Sequence, residues 1–210
     1  LGGTPHLAIK HLAELARQQT DFENEVVVLG RKADAYDDYV ARCPFPIEFI
    51  EFDGAYRNPR KAWRCVRALR RSIRERQPDL VHSYLWLADV MVSGARWGLG
   101  VPQLVHVVDR RGDLNAPRLP ARLRTRLTGC LLRRRGTRMV AVSEACRQHA
   151  IEHLGIEPQR IDTAFNGIEI ESLRPGPKRT DGSRALRIGA LSNLIEEKGL
   201  QYLIEAVAIL

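Results

Sequence analysis

Cysteine is scarce in this 210-residue chain: Cys43, Cys65, Cys130 and Cys146 lie far apart, with no C-x-x-C pair and no histidine at zinc-finger spacing. That pattern excludes a disulfide framework and a structural metal, and leaves four reduced, mostly packing thiols. No run of about 18 apolar residues is present, which removes a spanning helix, and no short apolar start leads into a small-residue cleavage site. A cytoplasmic setting is the expectation. Repeats of fixed period and low-complexity tracts are also missing, so a solenoid and a disordered tail are excluded. What is present is a chain able to bury a core, 44% hydrophobic and 28% charged, with 33 Lys plus Arg against 25 Asp plus Glu for a net charge of +8. The positive excess favours an anionic partner such as a phosphate, a nucleic acid or an acidic membrane surface.

Short apolar, β-branched runs alternate with longer stretches of helical period, the signature of strand-helix-strand units. The expected fold class is α/β with a Rossmann-like parallel sheet. After the opening glycines, Leu7, Leu12, Leu15 and Ala16 fit one helix face, and strands are predicted at Glu25 to Gly30 and Ile47 to Phe52. A long helix is expected over Pro59 to Arg76 with Ala62, Val66, Leu69 and Ile73 inward, then a strand at Asp79 to Ser83 beyond Pro78. Helices follow near Leu87 to Trp97 and up to about Arg135, with strands at Gln103 to Val108, Met139 to Val142 and Arg160 to Phe165. Ser143 is the candidate N-cap of the helix between the last two. A domain over 1–170, a Pro/Gly-rich linker over 171–185 and the start of a second domain over 186–210, with a strand from Leu186, complete the reading. The chain opens at Leu1 in a glycine pair and stops inside an apolar-periodic run, Leu200 to Leu210, so a fragment of a longer protein is expected.

Charge is segregated. Arg57 to Arg76 holds nine basic residues and one acid, and Arg110 to Arg138 ten and one, giving +8 and +9; the remainder therefore carries 8 − 17 = −9. In the first stretch Arg57, Arg60, Lys61, Arg64, Arg67, Arg71 and Arg74 recur at helical spacing opposite an apolar face, and Arg118, Arg122, Arg126 and Arg133 to Arg135 recur similarly among Leu119, Leu123, Leu127 and Leu131. A plain solvated helix face and contact with an anionic membrane surface both fit such faces. No zinc finger, aromatic RNA-binding signature or cold-shock pattern supports nucleic acid, which is not an expected partner.

Glycines before a helix, as at Gly2 and Gly3, suit a turn aiming backbone N–H groups at a phosphate or sugar, and Lys198 with Gly199 repeats that logic with an added cation. The string from Val140 to Gly176, V-A-V-S-E-A-C-R-Q-H-A-I-E-H-L-G-I-E-P-Q-R-I-D-T-A-F-N-G-I-E-I-E-S-L-R-P-G, resembles the interdomain segment of bacterial family-4-type (group 1) retaining glycosyltransferases of the two-domain GT-B fold. The G-G-T opening, P-D-L-V-H-S at 78–83, G-V-P at 100–102 and E-K-G at 197–199 match in the same order, so the resemblance covers essentially the whole chain.

The resemblance implies metal-independent, retaining transfer of a sugar from a nucleotide-sugar donor to a polysaccharide or lipid-linked acceptor, with no cofactor. Residues 1–170 would then be the acceptor-binding domain and 186–210 a truncated start of the nucleotide-sugar-binding domain, the reaction taking place in the crevice between them. It implies donor contacts from Gly2, Gly3, Asn193, Lys198 and Gly199, with Lys198 meeting the departing diphosphate's charge. Asn193 stands where the family commonly has an arginine, so either another cation substitutes or donor binding is weak. The family's strand-end histidine falls here on Val108; His106 lies two residues earlier on the same strand face. His106 and Asp109 are the candidates for catalytic contact, and His82 and Arg110 for the acceptor, while Asn166 and Gly167 shape the crossover. The family's later paired glutamates are absent from these residues, so catalysis by them alone is not expected. A non-catalytic sugar- or membrane-binding module and a nucleotide-sugar epimerase of the same fold are the alternative functions.

Overall fold

The computed structural model describes residues 3–18, 21–30, 40–41, 43–52, 58–109, 119–167, 170, 188–192, 194 and 196–209. The chain divides into two compact units, Leu1–Gly167 and Ile168–Leu210. In the first unit, α1 (Gly3–Arg17), β1 (Val26–Leu29), β2 (Ile47–Ile50), α2 (Pro59–Arg76), β3 (Val81–Tyr84) and α3 (Trp86–Ala95) come first. They are followed by β4 (Gln103–Val107), α4 (Leu119–Leu132), β5 (Thr137–Ala141), α5 (Glu144–Leu154), a 3-10 turn at Pro158–Arg160 and β6 (Ile161–Thr163). Every strand pair is parallel: β1 with β2, and β3-β4-β5-β6 in chain order. The Rossmann-like α/β expectation holds.

Local chemistry sets the element ends. Asn58 caps α2, its side-chain oxygen accepting from the N–H groups of Arg60 at 3.0 Å and Lys61 at 3.4 Å, with Pro59 in the first turn. Gln77 closes the helix in the left-handed conformation (φ 47°), and Pro78 bars its continuation. Ser143 caps α5 as expected, through Cys146 N–H at 3.2 Å. Among the described side chains of α1, Ala8 and Ile9 are the buried apolar ones, whereas the predicted inward Leu15 is exposed.

Two cores cover one face of the sheets. Ile50, Phe52, Cys65, Leu69, Ile73, Met91, Val92 and Ala95 join β2, α2 and α3; Val105, Val107, Leu132, Met139, Ala141, Ala150, Leu154 and Ile161 join β4, β5 and β6 to α4 and α5. Arg76 pins α2 to the strand pair through Glu48, at 3.0 Å, and Glu25. Between the cores runs a buried polar chain, affordable only because each member is paired. Ser83 donates to Asp89 at 2.8 Å, Gln103 donates to Ser83 at 3.0 Å, and Ser93 and Arg96 donate to Gln103 at 2.8 and 3.0 Å. Arg96 also donates to Thr137, which fixes the start of β5 two residues earlier than apolarity alone suggests.

In the second unit a 3-10 turn (Glu196–Lys198) leads into α6 (Leu200–Ile209). Residues 188–190 form no strand, which corrects the strand expected from Leu186; 186 and 187 lie outside the described residues. All four cysteines are free, Cys65 and Cys146 buried and Cys130 exposed. No helix among the described residues is long and apolar enough to cross a membrane.

Candidate functional site

Strand alternation splits β3 and β4 into two faces. Ser83, Gln103, Val105 and Val107 face the cores, which leaves His82, Tyr84, Leu104 and His106 on the opposite face. The parallel register sets Tyr84 directly beside His106, with their rings stacked at 4.7 Å and 19°. His82 leans onto both, its centroid 4.3 Å from Tyr84 and 5.5 Å from His106. A polar row results: Tyr84 Oη lies 3.4 Å from His82 Nδ1, and His82 Nε2 lies 3.4 Å from His106 Nδ1. With both imidazoles neutral, Tyr84 donates to His82 and His82 donates to His106, leaving the far N–H of His106 for a ligand.

The neutral state follows from the surroundings. Burial first, and then the repulsion that a protonated His106 would exert, brings the His82 pKa from the ordinary 6.5 down to about 4, although His82 keeps part of its surface in water. Burial also lowers His106, helped by His11 from α1, and burial raises the Tyr84 phenol. The backbone just beyond is strained. Leu85 adopts φ 73° and ψ 142°, a conformation suited to glycine, at the step from β3 into α3. Such outliers persist only where surrounding structure holds them, and they concentrate at functional sites.

A pH test follows from the lowered histidines. The unfolded chain takes up the proton at pH 6.5, the folded His82 only near pH 4, so stability is whole above about 6.5 and falls as pH drops through that window. A thermal-melt series from pH 7.5 to 4.5 is expected to show this slope in wild type and a flatter one in His82→Gln; parallel slopes would refute the assignment.

Of the residues singled out from sequence, the structure brings His82 and His106 together. Asp109 sits exposed just past the end of β4, and Val108 is half-buried beside it. Gly3 is the first residue of α1 and not part of a loop before it, while Gly2, Arg110 and Asn193 lie outside the described residues. In the second unit Lys198 ends the 3-10 turn with its side chain exposed. Gly199 adopts φ 67°, its N–H bonds the Glu196 carbonyl at 3.0 Å, and its carbonyl accepts from Tyr202 N–H at 3.0 Å, so the turn opens directly into α6. Tyr84 and His11 escaped the sequence reading. The available signal for Tyr84 was its place two residues beyond His82 on one strand face.

The description "Glycosyltransferase Family 4" belongs to a family model that matches residues 8–172. A D-inositol 3-phosphate glycosyltransferase of Frankia alni is 27% identical over 140 residues, covering 60% of this chain and 33% of that protein. One of the same name from Nocardiopsis dassonvillei is 30% identical over 108 residues, covering 48% of this chain and 24% of that protein. The chain thus spans a quarter to a third of the length of these curated relatives. Among solved structures, Anabaena HepE in complex with UDP-glucose aligns with TM-score 0.59 at 17% identity, over 84% of this chain and 44% of that one. The UDP-N-acetylglucosamine 2-epimerase of Rickettsia bellii aligns with TM-score 0.57 at 14% identity, over 79% and 43%. At such identities the likeness is one of fold.

Proposed function

The chain belongs to glycosyltransferase family 4, and from that premise we propose that it serves an enzyme moving a sugar from a nucleotide-sugar donor to a polysaccharide or lipid-linked acceptor. Transfer proceeds with retention, without a required metal, at the inner face of the cytoplasmic membrane. The observation that carries this reading is the His82–Tyr84–His106 row, a neutral, partly buried polar strip on the sheet face opposite the two cores, within the family-matched segment. An acceptor or donor sugar presents hydroxyls that neutral imidazole and phenol groups can hold in either donor or acceptor sense. Asp109, past the strand end, adds a carboxylate for further hydroxyls, and Lys198 supplies a cation for the diphosphate that leaves. The names of the structural neighbours support a UDP-type donor, and those of the curated relatives support a phosphorylated polyol among candidate acceptors. Epimerase chemistry shares only the fold, whereas the family match favours transfer.

The test is nucleotide release by the complete gene product from a panel of UDP-, GDP- and ADP-sugars, with chelator present and with product sugars analysed. Acceptor-dependent release from one donor, weakened in His106→Ala, is the expected result. Release of no nucleotide from any donor would overturn the proposal, and so would sugar interconversion without an acceptor.

A further inference from the structure

The two basic stretches, separate in sequence, meet in space. On α2 the exposed residues Arg60, Trp63, Arg64, Arg67, Arg71 and Arg74 fall within about 100° of the helix circumference at 3.6 residues per turn. None of these arginines forms an ion pair among the described residues, and Glu75 is the one acid in the whole stretch. Beside this stripe Arg70 reaches from α2 to the carbonyls of Ala95, at 2.9 Å, and Trp97, at 2.6 Å. The Trp97 indole in turn carries the Arg134 guanidinium 3.3 Å above its centroid, from the segment after α4. One surface therefore joins α2, the end of α3 and the end of α4, and both Trp63 and Trp97 are 62% exposed on it.

We propose that this surface docks on an anionic phospholipid bilayer, the arginines meeting headgroup phosphates and the two indoles entering the interface. Like charges at three- and four-residue spacing repel, and a stripe of them with no counter-charge among the described residues costs stability that an anionic plane returns. Tryptophan is a large apolar body with one polar N–H, the combination enriched where hydrocarbon meets water. The rest of the chain carries the opposite charge, −9 by the difference above, which orients this face toward a negative surface. The inference rests on the membrane-face part of the proposed function, but the surface shares no residue with the His82–Tyr84–His106 row or with Lys198, so vesicle binding and sugar transfer can fail separately.

Sedimentation of the complete gene product with phosphatidylcholine vesicles, with and without phosphatidylglycerol, tests it. Binding is expected only with the anionic lipid, falling as salt rises, with both indoles quenched by brominated acyl chains. Each arginine removed weakens binding by about fivefold, so Arg64→Gln with Arg67→Gln costs roughly 25-fold. The charge-matched control Lys10→Gln with Arg17→Gln, on α1, leaves binding unchanged. Equal binding to both vesicles, equal loss in the control, or tighter binding to a single-stranded oligonucleotide than to the vesicles would each overturn the proposal.

Discussion

Replacing Lys198 by alanine is expected to lower turnover of the nucleotide-sugar donor by about 10²–10³-fold, the usual cost of removing one group aimed at developing negative charge. Cleavage of the bond between sugar and diphosphate leaves a full additional charge on the phosphate oxygens. A cation and unpaired N–H groups at a helix start are the groups that meet it. Lys198 stands at such a start, exposed at the end of the Glu196–Lys198 turn, with Gly199 between it and Leu200, the first residue of α6. An exposed side chain has little to do with folding, so the melting temperature should hold while kcat falls. Lys198→Arg keeps the charge and should retain part of the rate. Asn193→Arg, which adds a second cation five residues earlier, should keep or raise it. Initial rates with the preferred donor in the complete gene product decide the matter; a Lys198→Ala rate within threefold of wild type would remove the residue from the chemistry.

Where backbone signals are local, the structure follows the sequence closely. The helix from Pro59 to Arg76 ends where predicted because Asn58, Pro59, Gln77 and Pro78 act within one turn of each end. Elsewhere distant partners move the boundaries. The helix expected to reach about Arg135 stops at Leu132, and Arg160 explains why: its guanidinium takes the carbonyls of Arg133 at 2.6 Å and Thr137 at 2.7 Å, together with that of Arg134. No propensity within 119–135 contains that information. The strand expected at Met139 starts at Thr137 for a similar reason, since Thr137 is buried and bonded to Arg96.

The site was half legible. His82 and His106 were visible as lone histidines near strand ends, but their meeting depends on the register of β3 against β4, which pairs Tyr84 with His106 and sets His82 two residues back. A shift of one residue would turn one of the two histidines to the face that the two cores cover. The convergence of the basic stretches is likewise a tertiary fact. It runs through Trp97, a residue with no charge of its own and no place in either stretch.

Gly129→Ala is expected to cost about 3 kcal/mol, at the upper end of the range for overpacking a well-filled interior. A methyl group at this position would lie 2.5 Å from the Leu154 carbonyl oxygen and 3.3 Å from its carbon, both backbone atoms at the end of α5. Backbone cannot swing aside as a long side chain can, so α4 and α5 must separate. The strip they would open holds Leu132, Ala150 and Leu154, each 5% exposed or less, and packing lost there is not recovered elsewhere. The seam is tight on its next turn as well: Arg133 donates to the Gly129 carbonyl at 3.2 Å, and its Nη1 lies 2.9 Å from where a Cβ on Gly155 would sit. For a chain of this size the melting temperature should fall by roughly 6–12 °C. Gly98→Ala supplies the contrast, because Gly98 has φ 71° and open space around it, so the change brings only the left-handed backbone cost of about 1 kcal/mol. Calorimetry on both variants separates the two causes. Gly129 lies within α4 and carries no left-handed strain, so a Gly129→Ala shift no larger than that of Gly98→Ala would mean that the two helices accommodate the methyl group, and the close crossing of α4 and α5 would then carry no part of the stability.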